Sequence, residues 1–230
     1  MKKYLVKTPY YVKRIFAKRT WTFLPNGRNV YLTFDDGPIP EVTPWVLDLL
    51  QKYKAKATFF CIGDNVRKHT EVFQRITSEG HAYGNHTMHH LNGWKVQSET
   101  YLSDVEEAEK EFKQRHENQN TEVVDSKTRT LLFRPPYGKL SSKQARRLQQ
   151  KGYHIIMWDV LSADFDTSIS EEKCLQNVLR HIKPGSIVVF HDSLKAEKHL
   201  KYVLPKVLRY ISEKGWKPEA ISRRTLAQGQ

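Results

Sequence analysis

The sequence predicts an α/β fold built on a parallel sheet, open or closed into a barrel. Three observations predict it. Short apolar runs alternate with longer, charged, helix-patterned stretches along most of the chain. The runs are apolar throughout rather than alternating with polar residues, which is the pattern of strands covered on both faces. Unusual polar residues fall immediately after those runs, where parallel sheets and barrels gather their functional loops.

The runs are residues 30–34 (VYLTF), 57–62 (ATFFCI), 130–133 (TLLF), 154–158 (HIIMW) and 186–190 (SIVVF), with a weaker candidate at 81–84. Each has strand length and is rich in β-branched or aromatic residues. Between them, residues 44–53 place Trp45, Val46, Leu49 and Leu50 on one side of a helix. Thr43 is the expected N-cap there and Pro44 the first helical residue. Residues 71–79 present Val72, Phe73 and Ile76 and stop at Gly80. A long charged helix is expected over 98–116 and another over 141–151, opening on Ser141 and stopped by Gly152. Residues 171–182 end before Pro184-Gly185, and 200–214 end at Gly215. Residues 117–129 are polar and read as a surface excursion.

Composition narrows the class. The 230 residues, 39% of them hydrophobic, suffice for one sizeable core and exclude a disordered chain. No apolar run approaches membrane-spanning length. Two cysteines, Cys61 and Cys174, exclude a disulfide scaffold and a cysteine-rich zinc site, and both are expected in the core. The net charge is +13, and the first 28 residues hold eight Lys or Arg and no acid. No cleavable apolar region follows Met1-Lys2-Lys3, so 1–28 reads as a basic, aromatic-rich mature segment packing on or flanking the main domain, 29–230. Its partner would be water, an anionic membrane surface or an anionic cell-wall glycan; no nucleic acid is expected from net charge alone. A cytoplasmic or membrane-peripheral location is expected on the same grounds.

Five polar clusters follow separate strands: Asp35-Asp36-Gly37-Pro38, Asn85-His86, Arg134 to Gly138, Asp159 with Asp164, and His191-Asp192. On one face of a parallel sheet they would converge. His86 and His90 lie four residues apart, so a helical turn would aim both imidazoles the same way. A carboxylate from Asp35 or Asp36 would complete a two-His, one-carboxylate metal set with open positions, as a hydrolytic zinc site requires. The neighbouring carboxylate would stay free to accept a proton. His89, one residue off, should point elsewhere. His191 suits a general acid with Asp164 orienting its ring, and Arg134 suits a partner for the free aspartate.

TFDDGP (33–38), HTMHH (86–90), RPPYG (134–138), WDVLSADF (158–165) and VVFHD (188–192) together resemble the five ordered motifs of the NodB-homology polysaccharide deacetylases, carbohydrate esterase family four. The resemblance spans about 29–212. It implies a distorted (β/α) barrel of about seven parallel strands that removes acetyl groups from N-acetylglucosamine or N-acetylmuramic acid in chitin or peptidoglycan. It implies Asp35 as base, Asp36, His86 and His90 as ligands of one divalent metal, usually Zn2+, and Arg134 as the group orienting Asp35. The Tyr137 amide would hold the oxyanion. Trp158 and Val189, with Pro135 beside them, would line the acyl pocket, and His191 would be the acid tuned by Asp164. The chain departs from the pattern at Leu161, where Asp is common, at Phe165, where Trp is common, and at Val189, where Leu is usual. These departures touch substrate choice rather than chemistry. Two other readings stay open: the same chemistry on a non-sugar amide, and a catalytically silent glycan-binding protein.

Overall fold

The computed structural model describes residues 5–25, 27–117 and 130–228. Its helices are α1 (Tyr10–Ile15), α2 (Thr43–Lys52), α3 (Gly63–Lys68), α4 (Thr70–Ser78), α5 (Ser98–Glu117), α6 (Ser142–Gln150), α7 (Glu171–Leu179), α8 (Glu197–Glu213) and α9 (Arg223–Gln228). The strands are β1 (Asn29–Asp35), β2 (Thr58–Cys61), β3 (Ala82–Asn85), β4 (Leu132–Phe133), β5 (His154–Ile155), β6 (Val160–Leu161), β7 (Ile187–His191) and β8 (Lys217–Pro218). Most of the polar excursion expected at 117–129 lies outside the described residues.

Seven strands follow the order β5-β4-β3-β2-β1-β7-β6, every pair parallel, and β8 adds to the start of β1. The expected single strand 154–158 is instead a run that changes neighbours. His154-Ile155 pairs with β4, Val160-Leu161 pairs with β7, and only four residues separate them. One stretch of chain therefore supplies both edges of the sheet, and the sheet curls into a distorted barrel.

The N-terminal segment lies along that seam. Leu161 N–H donates to Val6 (2.8 Å), Thr8 N–H to Asp159 (2.9 Å), Thr20 N–H to Ile155 (2.8 Å) and Met157 N–H to Thr20 (2.7 Å). These bonds satisfy backbone groups that the split strand leaves without a neighbour. Asp159 was expected at the polar mouth. It faces the segment instead, pairing with Lys7 and Lys13 and accepting from Ser186 Oγ at 2.7 Å. Among the described residues no helix is long and apolar enough to cross a membrane.

Side-chain parity separates two cores. Val30, Leu32 and Phe34 of β1, with Phe59, Cys61, Val188 and Phe190, pack outward under α2, α7 and α8. The opposite parity points inward, where Tyr31, Phe60, Leu132, Ile156 and Ile187 meet Phe23, Ile221 and Leu226. The inward floor is therefore sealed by side chains from both ends of the chain. Because both faces are covered, β1, β2 and β7 read as unbroken apolar runs, and Cys61 and Cys174 sit in the outer core as free thiols. Ser141 caps α6 with a full capping box involving Gln144. Thr43 does not cap α2: Val42 holds that position, and the Thr43 hydroxyl is committed elsewhere.

Candidate active site

Asp35 ends β1 with the inward parity of Tyr31 and Thr33, so its carboxylate closes the upper end of the barrel interior. Arg134, two residues beyond Leu132 on the same parity, reaches it across that interior. The guanidinium is fully buried and every group on it is used. Nη1 donates to Asp35 Oδ1 and to Thr33 Oγ1, each at 2.7 Å. Nε and Nη2 donate to the carbonyls of Ile156 (3.1 Å) and Met157 (2.9 Å), on the stretch where the split strand changes neighbours. A buried charge needs this satisfaction to be tolerated. The same residue thus braces the seam and orients Asp35.

Asp36 turns the other way at φ 82°, held by Asn65 Nδ2 donating to its carbonyl at 2.7 Å. His90 Nε2 lies 3.2 Å and His86 Nε2 3.7 Å from Asp36 Oδ1, and one ligand atom from each of the three falls within 4.8 Å of the others. The expected helical turn is absent. Residues 86–90 form a loop with Thr87 at φ 68° and His90 at φ 56°, and this conformation brings the rings to 5.1 Å.

His86 Nδ1 lies 2.8 Å from the Arg134 carbonyl. A carbonyl only accepts, so Nδ1 carries the proton and Nε2 keeps its lone pair toward Asp36. Burial pushes the His86 pKa down to about 4, keeping the ring neutral. Burial alone would raise Asp36, but the His90 hydrogen bond and the charge on His191 hold it below the usual carboxylate range. Two neutral-capable imidazoles and one ionised carboxylate form a donor set that fits a divalent cation with positions left open.

His191 ends β7 beside Asp35, the two being register partners. Asp164 grips it twice: Oδ2 accepts from the His191 N–H and Oδ1 from Nδ1, both at 2.8 Å. Burial would lower the imidazole, but Asp164, helped by Asp36 and Asp35, raises it to about 9. Nε2 is thus a protonated donor near neutrality. The Phe165 ring stands edge-on to His191 at 4.9 Å. Asp192 is fully buried behind Gly37, accepting from the Gly37 N–H (3.1 Å) and the Thr43 hydroxyl (2.6 Å). A Cβ on Gly37 would stand 2.0 Å from Asp192 Oδ2, so this glycine is required by close approach.

At the rim, Tyr137 adopts φ 58° in the 3-10 turn Pro136–Gly138, with its exposed ring 4.6 Å from His90. Gly138 packs on Trp158, which a Cβ would meet at 2.7 Å. Pro135 and Val189 are buried in the wall, Val189 in register with Thr33 and Leu161. Sequence reasoning assigned no role to three supports. Thr33 shares Arg134, Asn85 accepts from the Thr87 N–H at 2.8 Å, and Asp104 of α5 anchors the histidine loop. Asp104 Oδ2 accepts from the Met88 (2.8 Å) and His89 (3.1 Å) N–H groups, and its Oδ1 lies 2.6 Å from His89 Nδ1. Thr33 opens the first motif and Asn85 immediately precedes the second, a usable signal; Asp104 lies within a charged helix and carries none.

Residues 24–156 match the polysaccharide deacetylase family model. A peptidoglycan-N-acetylglucosamine deacetylase of Bacillus cereus is 32% identical over 204 residues, covering 88% of this chain and 91% of the relative. A chitooligosaccharide deacetylase of Azorhizobium caulinodans is 32% identical over 167 residues, covering 73% and 75%. The crystal structure of a peptidoglycan N-acetylglucosamine deacetylase superposes with a TM-score of 0.79 at 29% identity, over 91% of this chain and 93% of that one.

Proposed function

The chain belongs to the polysaccharide deacetylase family, and from that premise we propose that it is a metal-dependent hydrolase of acetamido groups on a peptidoglycan- or chitin-like glycan. The observation that carries the reading is the convergence, at one mouth, of a buried Asp35–Arg134 pair, the Asp36-His86-His90 donor set and an Asp164-held His191.

In this reading Asp36, His86 and His90 hold the cation, which when bound supplies Lewis acidity toward the acyl oxygen and an acidified water. Asp35, oriented by Arg134, takes the proton from the water that adds to the carbonyl carbon. The Tyr137 N–H donates to the developing oxyanion. His191 Nε2 then passes its proton to the amide nitrogen as the C–N bond breaks, releasing acetate and a free amine. Trp158, Val189 and Pro135 enclose the acetyl methyl and exclude bulk water. With Leu161 and Phe165 at the departing positions, the acyl-side wall is apolar, which suits a small methyl group.

The test is acetate release from N-acetylglucosamine oligomers and peptidoglycan fragments by metal-stripped protein reloaded with zinc. Zinc-restored release is expected. Zinc bound one per chain with no release from any glycan would overturn the reading in favour of a silent binder or a non-sugar amide.

A further inference from the structure

Six of the ten large apolar side chains exposed among the described residues lie in the first 24: Leu5, Tyr10, Tyr11, Ile15, Phe16 and Leu24. Tyr10 is 72%, Ile15 70% and Tyr11 63% exposed, and α1 buries none of its residues. Such clustering is unusual on a water-facing surface. This segment is not a frayed end. Lys7 and Lys13 are fastened to Asp159 on either side of the first turn, Trp21 Nε1 donates to the Phe16 carbonyl at 3.1 Å, and Val12 packs against a third buried cluster that holds Trp21, Tyr101 and Leu148 of α6. The rest of the fold holds α1 rigidly with its apolar side chains outward.

The charge left uncommitted around that cluster is positive. No Asp or Glu occurs in residues 1–34. Lys7 and Lys13 are taken up by Asp159, whereas Arg14 and Lys18 are exposed. Helix α6 adjoins the segment, since Gln149 Nε2 donates to the Lys18 carbonyl (2.6 Å) and Arg19 to the Leu140 carbonyl (3.2 Å). It adds Lys143, Arg146 and Arg147 and no acid. Lys143 and Arg147 pair with Glu99, while Arg146 is exposed without an ion pair among the described residues. A polyanion alone would use the cations and leave the apolar side chains wet. A surface that is anionic outside and apolar just beneath satisfies both.

We propose that α1 and the adjoining face of α6 dock on an anionic phospholipid bilayer. Tyr10, Tyr11 and Ile15 enter the boundary between headgroups and acyl chains, where tyrosine is favoured, and Arg14, Lys18 and Arg146 face lipid phosphates. The dock is independent of the catalytic reading, because none of these residues lies at the mouth.

The experiment is co-sedimentation of the full chain with vesicles of phosphatidylcholine containing about 30% phosphatidylglycerol, and with pure phosphatidylcholine, at low and high salt. Two double variants run alongside, Tyr11→Ser/Ile15→Ser and Arg14→Glu/Lys18→Glu, all four sites being exposed. Far-ultraviolet circular dichroism and melting confirm that both fold. The expected result is binding to the anionic vesicles only, weakened about tenfold or more by either double variant and by about 0.5 M salt. Three results would overturn the proposal: no binding to anionic vesicles, equal binding by the Tyr11→Ser/Ile15→Ser protein, which marks a polyanion site, or a dimer in sedimentation velocity that the same variant dissociates. Sedimentation needs no turnover, so failure of the deacetylase reading leaves this outcome intact.

Discussion

The mouth and the floor of the barrel are ends of the same strands, yet they are built on opposite principles. The floor is apolar. Phe23, Tyr31, Ile187, Ile221 and Leu226 close it, and burial of their surface stabilises the fold. The mouth buries Asp35, Arg134, Asp164 and Asp192 and holds its loops in strained conformations. Of the six non-glycine residues with positive φ among those described, five (Asp36, Thr87, His90, Tyr137 and Ala163) belong to mouth loops; Lys54 is the other. Strain of this kind costs about 1–3 kcal/mol per residue and persists only where surrounding structure over-determines it. Asn65, Asn85, Asp104 and Asp192 supply that over-determination at the mouth. The lesson is a division of labour: apolar packing at one end stabilises a barrel whose other end is free to be costly.

Asp35→Asn acts on the mouth and leaves the floor untouched. The rate of acetate release is expected to fall about 10²–10⁴-fold while bound zinc, measured by elemental analysis, stays at one per chain. Retention of most activity would remove Asp35 as the base. Phe23→Ala is the converse change at the floor. Urea titration should show a loss of about 3 kcal/mol, with kcat/KM of the remaining folded protein within twofold of wild type. If Phe23→Ala instead slowed turnover without altering stability, the two ends would not be separable.

Asp104→Ala strips the histidine loop of an acceptor shared by two backbone N–H groups and His89. A competing chelator should then report zinc affinity weaker by about 10–100-fold, with Asp104→Asn recovering part of it. Unchanged affinity would show that Thr87 and His90 hold their conformation unaided. The smallest effect is on pH dependence. His191 is raised to about 9, so its proton, and any acid catalysis by it, is lost as pH rises through that value. The stability contributed by the Asp164 pair is likewise full below the ordinary histidine value near 6.5 and lost through about 9. A cation at Asp36 offsets part of the negative field and moves this limb to lower pH, and Asp164→Asn moves it lower still. A pH–rate profile whose alkaline limb is indifferent to Asp164→Asn would remove His191 as the acid.

Much of this was legible along the chain, and the failures have identifiable causes. Residues 30–34, 57–62 and 186–190 are strands because their flanks are covered on both sides, and covered strands declare themselves as apolar runs. Ser141 and Gln144 announce their helix three residues apart. Thr43 misled because its hydroxyl is claimed by Asp192, 149 residues away. The i,i+4 spacing of His86 and His90 predicts converging rings, and they do converge, but through two left-handed residues rather than a helical turn.

Apolar period and strand-end position are local properties, so the order of the strands along the chain and the chemical inventory of the mouth can be read residue by residue. How that inventory is used depends on contacts between distant parts of the chain. Asp159 and Asp164 follow the same run five residues apart, and nothing local separates them. Lys7 and Lys13 claim the first across about 150 residues, and His191 claims the second across 27. Which carboxylate pairs with His191 and which fastens the N-terminal segment depends on the strand changing neighbours at 156–159. That rearrangement follows from closing the barrel, and barrel closure is a property of the whole chain.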